Sequence, residues 1–253
     1  MASQERVTAA VLIIGDEILS GRTQDTNLNA IARYLGVHGV DVAEARVVGD
    51  VEDEIVATVN HLRERYDYLF TTGGIGPTHD DITADCVAKA FGVALYEHPE
   101  IIAMMEARWK GELNAARRRM ARVPEGGVLV KNPVQGPPGF QIGNVFVLAG
   151  VPVIMRGMLE DVGHRLKGGA VVISRTVRVD GSGEGVIAAP LEAVAKAHTN
   201  LSLGSYPFFS NEGYGSNLVV RGRDAAEVDA TVTELEAALR EAGVTQVTVL
   251  DTV

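Results

Sequence analysis

A chain of 253 residues can hold one large α/β domain or a larger and a smaller one. A content of 46% hydrophobic but only 5% aromatic residues suits helices packed on buried strands around a sizeable core. A net charge of −10 argues against a nucleic-acid partner, which needs a positive field. The single cysteine, Cys86, excludes an internal disulfide and a multi-cysteine metal site, and its apolar helical spacing reads as a buried core thiol. No apolar run approaches the ~20 residues of a membrane span and no signal-peptide pattern opens the chain, so a cytoplasmic setting without a membrane partner is expected.

Val7–Ile14 is an almost continuous apolar run ending at Gly15-Asp16-Glu17, which predicts a strand buried on both faces. The spacing of Leu28, Ile31, Ala32 and Leu35 predicts a helix over Asn27–Leu35. A second strand over Val42–Val48 stops at Gly49-Asp50, and Glu52–Arg65 follows as a helix with an Ile55, Val56, Val59, Leu62 stripe. Tyr66–Thr72 is the third strand and runs into Gly73-Gly74-Ile75-Gly76-Pro77. This alternation predicts an α/β fold, a mainly parallel sheet with helices on both faces. The ligand crevice of such a sheet lies outside the carboxyl ends of its strands, where Gly and Asp collect in this sequence.

Pro99–Met120 reads as one helix whose Arg108, Arg117, Arg118 and Arg119 form in part a solvated basic face. Val128–Val130 and Val145–Leu148 read as two strands joined by a Pro/Gly-rich loop beginning at Asn132. Pro152–Leu166 is expected as a helix with Pro152 at its start, where the missing N–H costs little. Gly168-Gly169 marks the expected boundary between an α/β domain, 1–168, and a small α+β domain, 169–253. In the latter, strand Ala170–Val179, helix Glu184–Ala197, strands Leu201–Phe209 and Asn217–Arg221, helix Ala225–Ala242 and strand Thr245–Leu250 give the β-α-β-β-α-β order of a split-βαβ, ferredoxin-like unit. With 6 Lys/Arg against 11 Asp/Glu it is expected to pack against protein, as a dimerisation module of a homo-oligomer, and not against RNA.

The chemistry concentrates in Thr71–Thr83. Gly73, Gly74 and Gly76 permit a sharp turn and close approach of a ligand, and loop N–H groups ahead of a helix form an anion cradle. Asp80-Asp81 just downstream would repel a phosphate unless a divalent cation, with Mg²⁺ the best match to hard oxygen ligands, lay between them. Either aspartate could instead cap the helix starting near Ile82. Gly15-Asp16-Glu17 and Gly49-Asp50 add acidic strand ends on the same edge, while Asn27 or Thr26 is expected to cap the first helix and His79 to be a solvated loop residue.

Thr71–Thr83 resembles the signature of the molybdopterin-binding family of MogA, MoaB and gephyrin-type proteins. Gly15–Gly21, Asp25-Thr26-Asn27, Val48-Gly49-Asp50, Met120-Ala121, Pro124-Glu125-Gly126, Asn132-Pro133, Pro138-Gly139-Phe140 and Gly150-Val151-Pro152 resemble, in order, the N-terminal region of CinA-type proteins and the corresponding domain of two-domain FAD synthases. The likeness is dense from residue 7 to about 166 and weaker beyond, where Tyr206-Pro207 continues it. It implies catalytic roles for Asp50 and Asp81, a metal on Asp50, Asp80 and Asp81, and ligand contacts from Gly15, Asp16, Glu17, Gly73, Gly74, Gly76, Thr83, Asn132 and Pro152. The 253 residues carry neither the amidohydrolase domain of full-length CinA nor the adenylyltransferase domain of FAD synthases, so neither activity is expected of them. Three readings stay open: metal-dependent hydrolysis of a nucleotide pyrophosphate such as ADP-ribose or FAD, molybdopterin binding or adenylylation, and non-catalytic ligand binding or regulation.

Overall fold

A computed structural model describes residues 6–109, 113–210 and 213–250. The chain divides into two compact units, Met1–Gly169 and Ala170–Val253.

The first unit runs β1 (Val7–Ile14), α1 (Asp16–Leu19), α2 (Asn27–Val37), β2 (Val40–Val48), α3 (Glu52–Arg65), β3 (Tyr68–Thr72), α4 (Thr83–Phe91), β4 (Leu95–Glu97), α5 (Pro99–Trp109), α6 (Ala115–Arg119), β5 (Arg122–Pro124), β6 (Val128–Val130), β7 (Gly139–Ile142), β8 (Val145–Leu148) and α7 (Pro152–Leu159), with a 3-10 turn at Gly163–Arg165. Six strands form one sheet in the order β2-β1-β3-β8-β7-β6, and β4 pairs with β5 apart from it. β2, β1, β3 and β8 are parallel, whereas β7 and β6 add antiparallel edge strands. The sheet is therefore mainly parallel, as expected.

The unbroken apolar character of β1 follows from burial on both sides. Ala10, Leu12 and Ile14 enter one core with α3 and α4 (Ile55, Val59 and Val87 among them), while Ala9, Val11 and Ile13 enter a second with α2 and α7. The period of two along a strand makes this split. β3 and β8 repeat it, and Phe70 and Phe146, paired in register, stack with ring centroids 4.8 Å apart. The bounds of α3 match the reading of the sequence because Glu52, Asp53 and Glu54 in its first turn and Arg63 and Arg65 in its last complement the helix dipole.

Three expectations are corrected. The helix expected over Pro99–Met120 is two, α5 and α6, the second begun by Asn114, whose side chain accepts the Arg117 N–H at 2.9 Å; residues 110–112 lie outside the described residues. The loop expected between Val128–Val130 and Val145–Leu148 contains β7, only four residues long and hidden behind the turn signal of Pro137, Pro138 and Gly139. The last helix stops at Leu159 and gives way to the 3-10 turn.

The second unit comprises β9 (Ile173–Asp180), α8 (Glu184–Ala197), β10 (Ser202–Ser210), β11 (Gly213–Gly222), α9 (Ala225–Glu241) and β12 (Val247–Leu250). Its antiparallel sheet has the order β10-β11-β9-β12, the arrangement expected of a split βαβ. Val177, Val179, Leu218 and Val220 face Ile187, Val228 and Leu235 in its own core, and Asp224 caps α9 by accepting the N–H groups of Ala226 and Glu227.

Candidate functional site

The register of the parallel strands lines up their carboxyl ends. Ile14 pairs with Val48, Ile13 with Thr72, and Thr72 with Leu148, so the segments after β1, β2, β3 and β8 leave from one edge. The chain passes from β1 to β2 on one side and then returns to β3 on the other, which makes the β1/β3 boundary the point where connections diverge and a crevice opens. Gly73 lies at that boundary with φ +102°, and a Cβ there would collide with the Ile14 carbonyl; Gly150, after β8, packs directly on Gly73.

The loop after β3 organises itself. Thr83, fully buried, donates its hydroxyl to the Gly73 carbonyl at 2.9 Å, and its N–H donates to the Gly74 carbonyl at 3.0 Å. Gly74 has φ +64°, and a Cβ would strike the Thr83 hydroxyl. Asp81 turns back into the loop, where one oxygen accepts the Gly76 N–H at 2.7 Å and the other accepts both the N–H and the hydroxyl of Thr78. Neither aspartate caps α4: Ile82 occupies that position without a side-chain bond. The Gly76 amide, read from sequence as part of an anion cradle, is thus spent on Asp81, and the Gly74 and Ile75 amides donate to nothing among the described residues.

Beside this loop the strand ends bring Asp16, Glu17 and Asp50 together. Asp50 accepts the Asp16 N–H at 3.0 Å, and the Asp16 carboxylate lies against Gly49. Burial, reinforced by the charges of Asp16, Glu17 and Asp80, holds the Asp50 carboxyl above its ordinary value despite that hydrogen bond. Asp80 is held below its ordinary value, first by the Thr78 side chain, then by its own backbone N–H, with His79 and Arg119 adding to it. Neighbouring carboxylates are therefore tuned in opposite directions, the pattern that separates proton-accepting from charge-holding roles. Among the described residues no three His, Cys, Asp or Glu side chains are arranged to hold a metal by themselves. Asp81 has both oxygens engaged within its loop, so Asp50 and Asp80, with Asp16 and Glu17 close by, are the carboxylates whose chemistry suits a hard cation sharing its coordination with phosphate and water.

Two further expected residues, Asn132 and Pro152, lie in a turn and at a helix start. The Asn132 Nδ2 lies within bonding distance of the Gln135, Gly136 and Pro137 carbonyls and its Oδ1 accepts from Val134 and Gln135, so its polar atoms are used inside its own turn. Pro152 is exposed at the start of α7, two residues after Gly150. At α2 Thr26 occupies the N-cap position without a side-chain bond, and Asp25 before it accepts the Asn27 and Leu28 N–H groups; Asn27 is buried and donates to the Gly150 carbonyl at 2.8 Å. Cys86 is buried, and desolvation pushes its thiol up to about 12, which removes it from nucleophilic chemistry.

Sequence reasoning passed over the basic side of the cleft. Gly74, Ile75, Gly76 and Asp81 line a pocket with Arg119 and Arg122. The Arg122 guanidinium is bidentate on Asp85, at 2.8 and 2.6 Å, and Arg119 donates to the Asp81 carbonyl at 3.2 Å. The arginine run was visible in sequence, but which of its members turns inward depends on where α6 ends.

The profile described as "Probable molybdopterin binding domain" matches residues 10–168, and that of "FAD synthase, middle domain" matches residues 171–248. A CinA-like protein of Gemmatimonas aurantiaca is 33% identical over 246 residues, which span 91% of this chain and 57% of that protein. A protein of Archaeoglobus fulgidus is 32% identical over 233 residues, covering 91% of this chain and 97% of its own. The crystal structure of the protein CinA with unknown function from Thermoplasma acidophilum superimposes with a TM-score of 0.59 at 34% identity, covering 62% of this chain and 98% of that one. The chain belongs to the family of the probable molybdopterin binding domain, carried in a CinA-like sequence whose second unit matches the FAD-synthase middle domain.

Proposed function

We propose that the first unit is a metal-dependent hydrolase of a nucleotide pyrophosphate bond, in ADP-ribose or an FAD-like dinucleotide. The observation that carries this reading is the opposed tuning of Asp50 and Asp80 beside a loop with two unengaged amides. A divalent cation, Mg²⁺ by preference, would be held by Asp50 and Asp80 with Asp16 and Glu17 near, and would supply charge neutralisation for the departing phosphate. The Gly74 and Ile75 amides hold a phosphate, and the rigid Thr83 and Asp81 contacts keep them in place. Asp50, whose carboxyl is held above its ordinary value and is therefore a stronger base than a free carboxylate, takes the proton of the attacking water in its ionised form. One P–O bond forms to that water, the bridging P–O bond breaks, and the second phosphate leaves as a monoester.

A second reading is molybdopterin binding or adenylylation, favoured by the family match over residues 10–168. A hydrolysis assay of ADP-ribose and FAD against a panel of divalent cations, with molybdopterin binding measured in parallel, separates the two. Turnover with Mg²⁺ that chelator abolishes is the expected result. Undiminished turnover in excess chelator removes the cation from the mechanism, and molybdopterin binding without any hydrolysis transfers the site to the second reading.

A further inference from the structure

The three consecutive arginines of α6 have separate fates. Arg117 lies over the Trp109 ring at 5.2 Å, and Arg118 pairs with Glu97 at 2.6 Å. Arg119 alone lines the glycine-loop pocket. It is half-buried, with one guanidinium nitrogen on the Asp81 carbonyl, and its Nε is buried without any hydrogen-bond partner. A desolvated donor on a permanent cation is costly to leave unmatched, more so than a neutral one. Its backbone is held from the other side: the Arg119 carbonyl accepts from Arg122, whose guanidinium is locked on Asp85. Asp81 connects the two halves of this arrangement, since its carboxylate shapes the loop and its carbonyl anchors the arginine.

We infer that Arg119 is a phosphate-binding residue of this cleft, facing the Gly74–Gly76 loop across one phosphate of a pyrophosphate-bearing ligand. This rests on the proposed function and adds to it a cationic side chain on the glycine-loop side of the site. The charge of Arg119 already acts on Asp80, so the side chain that lines the loop pocket is also within electrostatic reach of that carboxylate. The planar fork of a guanidinium suits a tetrahedral phosphate better than the point charge of a lysine does.

The test is direct titration of inorganic pyrophosphate with Mg²⁺ into the full chain, in wild type and in Arg119→Gln, Arg119→Lys and Arg118→Gln. With charge-assisted bonds at stake, Arg119→Gln is expected to bind at least about thirtyfold more weakly, Arg119→Lys about two- to tenfold more weakly, and Arg118→Gln within about twofold of wild type. Wild type that binds no pyrophosphate overturns the proposed function and this inference with it. Wild type that binds, together with a folded Arg119→Gln that binds equally well, overturns the inference alone. Should Arg119→Gln fail to fold, Arg119→Lys binding as tightly as wild type overturns it too.

Discussion

The two sides of the crevice are built on opposite principles. On the glycine-loop side every strong polar group of Asp81 and Thr83 is satisfied by its own loop, so the backbone is fixed before any ligand arrives. On the acidic side burial and the charges of Asp16, Glu17 and Asp80 bear on Asp50, which is kept from easy ionisation. The contrast teaches that one region is organised for stability and the other is held at a cost in stability. Such local cost is common where chemistry is done, because groups optimised for folding seldom have the pKa a reaction requires.

Substitutions should separate the two sides. Gly74→Val has the largest expected effect, because it combines a β-branched residue at φ +64° with a collision on Thr83. A loss of about 3 kcal/mol or more is expected in urea unfolding, together with loss of pyrophosphate binding. Unchanged stability would show that the loop is not held as described. Asp81→Ala comes next: it releases the Gly76 and Thr78 donors and should cost about 1–3 kcal/mol, with weaker phosphate binding measured by titration. Thr83→Val, which removes a single buried hydroxyl from the Gly73 carbonyl, should cost about 1 kcal/mol and leave metal binding unaltered.

Asp50→Asn should have the smallest effect on stability and the opposite sign, while turnover falls. The folded carboxyl lies above its ordinary value, so its ionisation opposes folding. Below the ordinary carboxylate value Asp50 is protonated in both folded and unfolded chains, and wild type and variant should unfold alike with respect to this group. As pH rises from that value through the raised folded one, wild type should lose stability relative to Asp50→Asn. Urea unfolding of both proteins at acid and neutral pH measures the difference. A wild type that gains on the variant with rising pH would refute the upward shift of Asp50 by burial and neighbouring charge.

Where the sequence was informative, a single physical signal dominated each element. Val7–Ile14 and Glu52–Arg65 were readable to the residue because continuous apolar burial, or an amphipathic stripe with charged ends, had no competitor. β7 was not, since turn-forming residues outnumber the apolar ones around its four positions. The glycine turn could be read as permissive backbone, but not which of its amides would remain unengaged, because that depends on the Asp81 carboxylate turning back on Gly76. For the same reason Asp81 and Asp80, adjacent in sequence, take different roles, and Asp25, ahead of the N-cap residue Thr26, supplies the side-chain bonds to the first turn of α2.

By itself the sequence determined a mainly parallel α/β unit followed by a split βαβ unit, and the strand edge on which the glycines and acidic residues collect. Those features follow from periodicity and from the rule that parallel strands release their loops at one end. Only the tertiary structure decided that Asp50 shares its surroundings with Asp16, Glu17 and Asp80, and that Arg119 alone among the arginines of α6 lines the pocket. Electrostatic tuning and desolvation depend on distances between residues far apart in the chain, and local pattern does not encode those distances.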